Sequence, residues 1–118
     1  MPTTESTRSA VTRHREALEL IKRNLSPQMR LTQLDLLLAV YEQEGQIMRE
    51  LAIATGMTMS GISRAFDSLS KEGRKDVKVD GGQAMLRTET GSDERIKRIY
   101  LTGKGRDVLD SYFSILEP

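Results

Sequence analysis

Thr58, Ser60, Gly61, Ser63, Arg64 and Ser68 place small hydroxyls, a glycine and one arginine along a single side of an otherwise apolar stretch. Such groups move no atoms between molecules. They exchange hydrogen bonds with an ordered array of donors and acceptors, such as the base edges in a major groove. Arg64 is the strongest of them, because its guanidinium can fork onto a guanine edge or hold a phosphate. Its bland counterpart is a surface arginine pairing with Asp67 or Glu72. Thr58 and Ser60 open the segment, where free amide donors and the helix dipole favour a phosphate, although Thr58 is equally suited to plain N-capping. Ser63 and Ser68 fit groove contacts or simple filler. Further along, Arg95 follows Asp93, an arrangement that suits a turn salt bridge. Lys75, Lys78, Arg87, Lys97 and Arg98 add the charge that attracts phosphate without regard to sequence. From residue types, the candidate nucleic-acid contacts are Thr58, Ser60, Gly61, Ser63, Arg64, Ser68, Lys75, Arg87 and Lys97; a role for Arg95 comes only with the resemblance given below.

Other chemistries find little material. The chain of 118 residues has no cysteine and one histidine, which removes disulfides, thiol redox and most metal sites. No nucleophile–base pair or phosphate loop is present, and the acidic pairs Asp93-Glu94 and Glu42/Glu44 fall on solvated turns or helix ends. The expectation is a non-enzyme without catalytic residues, metal or cofactor. Net charge is only +1, but from Gly56 to Arg106 eleven Lys and Arg face seven Asp and Glu, so the basic surplus sits in the middle of the chain. No apolar run reaches membrane-spanning length and PTTESTRSA lacks a signal-peptide core, which points to the cytoplasm and to no membrane partner.

The elements that position these residues can be read from periodicity. Met48 to Glu72, MRELAIATGMTMSGISRAFDSLSKE, holds two short helical patterns about a tight turn. Leu51, Ala52 and Ile53 carry the first; Ile62, Ala65, Phe66 and Leu69 carry the second. A small Ala52, a Gly56 able to adopt the left-handed turn and an Ile62 plugging the angle are what a helix-turn-helix requires. An ordinary helical hairpin is the bland alternative. No Ser, Thr, Asp or Asn lies just before Met48 to cap that helix. Met48, Met57, Met59 and Met85 read as core filling rather than a redox sensor.

Upstream, a helix from about Ser6 to Leu25 carries the narrow stripe Val11, Leu18, Ile21 and Leu25, and Ser26-Pro27 ends it. Its His14 reads as a surface or seam histidine. Thr32 with Asp35 three residues on resembles a capping box for a core helix bearing Leu34, Leu37, Leu38, Val40 and Tyr41, closed by Gly45. Gln46-Ile47 is a link or a stub of strand. Downstream, 73–83 reads as a loop with a short strand at Val77 to Val79. Ala84 to Glu89 and Arg95 to Leu101 alternate as two strands around a charged turn. A last helix, about Lys104 to Leu116, carries Val108, Leu109, Tyr112, Phe113 and Leu116. The two terminal stripes together predict a dimer interface, since a chain this small would otherwise expose one of them.

The series MRELAIATGMTMSGISRAFDSL, a hairpin with Asp93-Glu94-Arg95, then IYLTGKGRDVLD, resembles the MarR family of winged helix-turn-helix regulators, over roughly Leu31 to Tyr112. The continuation Gly73-Arg74-Lys75 is similar to a compact, often phage-associated branch. The resemblance implies a mainly α fold with a small antiparallel β-wing. It implies terminal helices 1–30 and 104–118 for dimerisation, and a DNA-binding domain over 31–103. It further implies a homodimer on double-stranded DNA, acting as a repressor: recognition helix 58–72 in the major groove, wing 84–101 at the minor groove, Arg95 reaching that groove with Asp93 bracing it. Two features depart from the family: the 73–83 loop lengthens the path from recognition helix to wing, and the short terminal helices leave little room for a ligand crevice, so a small-molecule effector loses support. The alternative is a winged-helix protein-interaction module, such as a phage antirepressor or assembly adaptor, favoured by the near-neutral charge and by Gly61 on the reading face.

Overall fold

The computed structural model describes residues 4–70, 84–92 and 95–117. Eight elements follow in order: α1 Glu5–Asn24, α2 Leu31–Glu42, β1 Gln46–Ile47, α3 Met48–Thr55, α4 Met59–Leu69, β2 Leu86–Thr90, β3 Lys97–Leu101 and α5 Gly103–Leu116. The fold is mainly α with one small antiparallel sheet in the order β1-β3-β2, a winged helix-turn-helix. Lys75, Lys78, the strand expected at Val77 to Val79, Asp93 and the rest of the 73–83 loop lie outside the described residues.

α1 begins where the Thr4 hydroxyl accepts the Thr7 amide at 3.1 Å, with Glu5 in the first turn and Lys22 and Arg23 in the last, matching the helix dipole. It packs most extensively along α5. This pairing corrects the expected dimer interface. Ile21, Leu25, Val108, Leu109 and Tyr112 are buried in the chain's own core, because the two stripes satisfy one another. Val11 and Leu18 remain 51% and 41% exposed, with Phe113 and Leu116 half-buried.

α2 starts earlier than Thr32. Arg30 is the residue before its first turn, and the Arg30 amide donates to Gln33 Oε1 at 2.7 Å, so the reciprocal partner is Gln33 rather than Asp35. Leu36 is buried along with Leu34, Leu37 and Val40, which widens the expected face. α2 contacts α3, α4, α5 and β3, so little of its circumference meets water.

Gly45, with φ +86°, turns the chain from α2 into β1, and its amide donates to the Ile99 carbonyl at 2.9 Å. The uncapped start of α3 has a partial remedy, since Glu50 Oε1 accepts the Ile47 amide at 2.9 Å. Gly56 adopts φ +73° at the helix-turn-helix turn, Ala52 and Ile62 are buried at the crossing, and the predicted motif is present. Ile53 does not join that packing: it is 77% exposed. Likewise Met85 is buried and Met48 and Met57 pack on the core, whereas Met59 is 52% exposed.

Helix α4 ends at Leu69, three residues before the expected limit. The Leu69 carbonyl takes the Met85 amide at 2.9 Å and extended Ser70 bridges Leu86, so the chain is already committed to the sheet. β2 and β3 run from Leu86↔Leu101 to Thr90↔Lys97, shorter at the turn side than the expected Arg95 start. Leu86, Ile99 and Leu101 face the core.

Candidate nucleic-acid interface

Helix α4 buries Ile62, Ala65, Phe66 and Leu69 against the domain and turns Met59, Ser60, Ser63 and Arg64 to the exterior, with Asp67 half-buried beside them. Its start is set by Thr58, whose hydroxyl accepts the Gly61 amide at 3.0 Å and lies 3.3 Å from the Ser60 hydroxyl. Thr58 is thus the N-cap, the plainer of its two expected roles. The Ile62 amide returns to the Thr58 carbonyl at 2.9 Å, so among the described residues the amides left without an acceptor in this turn are those of Met59 and Ser60. Those two donors, at the positive end of the dipole, suit a phosphate oxygen.

Arg64 is exposed, and no acceptor among the described residues holds its guanidinium. The expected pairing with Asp67 is not formed, and Glu72, the other expected partner, lies outside the described residues. Ser68 is the correction on this helix. It is half-buried, its hydroxyl donates to the Ala65 carbonyl at 2.7 Å and accepts from Gln33 Nε2 at 2.8 Å, and it therefore ties α4 to α2 instead of facing outward. Gly61 also leans inward: a Cβ there would lie 3.1 Å from Thr58 Oγ1, so the glycine serves the cap.

The wing divides its charges between two faces. In the ladder, Arg87 stands opposite Tyr100 and Glu89 opposite Arg98, which puts all four on one face. Arg87 pairs with Glu89 and rests over the Tyr100 ring, 5.0 Å from its centroid. The expectation of a simply solvated cation at Arg87 therefore gives way to an exposed ion pair, weak enough for a competing anion to open. Arg98 donates to the Gly45 carbonyl at 2.9 Å, joining wing to α2–β1 turn. Lys97 is exposed on the opposite side, and Arg95 is exposed in the turn between β2 and β3. The bracing partner expected for Arg95, Asp93, is outside the described residues.

Behind the interface, polar contacts join the end of α2 to α5 and β3. Glu44 accepts the Leu101 amide at 2.8 Å through Oε1 and pairs with Arg106 through Oε2. Tyr41 donates to Asp110 Oδ1 at 2.7 Å, and that hydrogen bond, with lesser help from desolvation and the Asp110 charge, holds the phenol above its usual pKa, while Arg106 pulls the other way. Tyr41, Phe113, Leu116 and Glu117 line an open cleft of about 500 Å³. Among the described residues no cluster of three His, Asp or Glu is placed to hold a metal ion, and no helix is long and apolar enough to cross a membrane.

Sequence reasoning places Met59 and Ile53 inside, whereas the structure leaves both exposed. The available signal was helical phase: Met59 lies at the edge of the buried arc, in a first turn with no preceding turn to cover it.

No protein-family model matches the chain, and no curated protein matches its sequence. Solved structures do match its shape. A MarR-family transcriptional regulator from Silicibacter pomeroyi superposes with a TM-score of 0.58 at 24% identity, over 92% of this chain and 62% of that one. A MarR-like transcriptional regulator from Thermotoga maritima gives 0.61 at 25% identity, over 95% and 73%. The M. tuberculosis transcriptional regulator MosR, solved in complex with DNA, gives 0.56 at 23% identity, over 93% and 70%. The chain thus spans about 62% of the Silicibacter protein's length. It folds as a MarR-type winged helix-turn-helix protein.

Proposed function

We propose that this chain is a sequence-specific DNA-binding transcriptional regulator of the MarR type, acting as a repressor. The observation that carries the proposal is the outward arc of α4, where Arg64 has no acceptor among the described residues and nothing of the core covers Ser60 or Ser63. α4 enters the major groove, with Arg64 forked onto a guanine edge and the Met59 and Ser60 amides on a phosphate. The wing, through Arg95 and Lys97, follows the adjacent minor groove. The DNA in the MosR structure supports this assignment by likeness of fold. Two copies joined through Val11, Leu18 and the half-buried end of α5 would read a pseudo-palindrome with half-sites about 10 base pairs apart.

A gel-shift titration over salt tests the proposal. Binding should weaken steeply as salt rises, with a log–log slope of about −0.9 per phosphate contacted. Arg64→Ala should cost about 1–3 kcal/mol of discrimination between operator and random duplex. A flat salt response, or equal affinity for every duplex, would favour the protein-interaction module instead.

A further inference from the structure

The outward arc of α4 is not uniformly polar. Met59 is 52% exposed and is the one large apolar side chain among the described residues of that arc, followed by the small Ser60 and Ser63. Beside it Thr58 is engaged at home, accepting the Gly61 amide and contacting Ser60. The leading end of the helix therefore offers a base pair an unbranched thioether next to its small hydroxyls. A major groove presents a single apolar feature, the C5 methyl of thymine. A methionine has the flexibility and polarisability to settle against it, and doing so removes an exposed apolar side chain from water.

We propose that Met59 is a specificity-determining residue that selects thymine in each half-site by packing on its C5 methyl. This rests on the DNA-binding reading above and adds to it a base that no hydrogen bond would explain. Arg64, five residues further and about 7.5 Å along the helix axis, contacts a different base pair, so the two preferences are separable.

The test begins with duplexes selected from random DNA by the full chain. Each thymine of the recovered operator is then replaced singly by deoxyuridine, which removes the methyl group and nothing else. One position per half-site should lose about fourfold in wild-type affinity, equivalent to about 0.8 kcal/mol for one buried methyl-sized group. Met59→Ala should bind the thymine and uracil duplexes alike at that position, and Met59→Leu should restore a difference. Because Met59 is half exposed, both variants should melt as the wild type does. Wild-type indifference to uracil at every position, or an undiminished thymine preference in Met59→Ala, would overturn the proposal while leaving DNA binding intact. Recovery of no preferred sequence would instead defeat the regulator reading, and this inference with it.

Discussion

Single side chains on the two sides of this molecule do different work, and their hydrogen bonds show which. Arg64 on α4 has no acceptor among the described residues, whereas Ser68, four residues later, is bound to Gln33 and Ala65. Both were candidate contacts from residue type alone; only the partner across from Ser68 separates them. Tyr41 provides a residue-scale prediction away from the interface. Its donated bond to Asp110 favours the protonated phenol, so its pKa is raised. Stability from that bond is complete below the ordinary tyrosine pKa and disappears as pH rises through the raised one. In an alkaline absorbance titration, the component lost in Tyr41→Phe should lie above the ordinary tyrosine range, and Asp110→Asn should bring that component down. An unchanged curve in Asp110→Asn would refute the assignment.

The elements hold their places through end contacts as much as through apolar faces. Thr58 and Thr102 cap α4 and α5 in the same way, each accepting the amide three residues on, and Thr102 also donates to the Ala84 carbonyl at 2.6 Å. That second bond draws the entry to β2 against the first turn of α5, where Gly105 is required. A Cβ at Gly105 would stand 2.2 Å from the Met85 carbonyl oxygen, a backbone atom with little room to yield. Gly105→Ala should therefore destabilise the fold by about 1–3 kcal/mol in urea unfolding. Gly103→Ala is the matched control, because among the described residues nothing lies within 4 Å of its Cβ position. Equal midpoints for the two variants would mean that α5 shifts to accommodate the methyl. The last helix was readable from the spacing of Val108, Leu109, Tyr112, Phe113 and Leu116; the closeness of Gly105 to Met85 joins residues far apart in the chain and was not.

At the scale of the whole molecule, α1 and α5 pack together and leave a reduced apolar surface, chiefly Val11 and Leu18 with parts of Phe113, Ile115 and Leu116. A second copy is the proposed cover. Leu18→Glu combined with Val11→Glu should shift sedimentation equilibrium at micromolar protein from dimer to monomer, with the helical circular dichroism signal kept. A wild-type monomer would withdraw the dimer and the paired half-sites together.

Local order was legible because it depends on neighbours in the chain. Helical spacing from Leu51 to Leu69, a left-handed Gly56, a Pro27 stop and the alternation of Lys97 to Leu101 each follow from backbone geometry within a few residues. Which surface an apolar residue meets depends on what arrives from elsewhere. Ile21 and Leu109 are buried because α5 returns along α1, Ser68 turns inward because Gln33 waits on α2, and Met59 stays outside because none of the described elements crosses the first turn of α4.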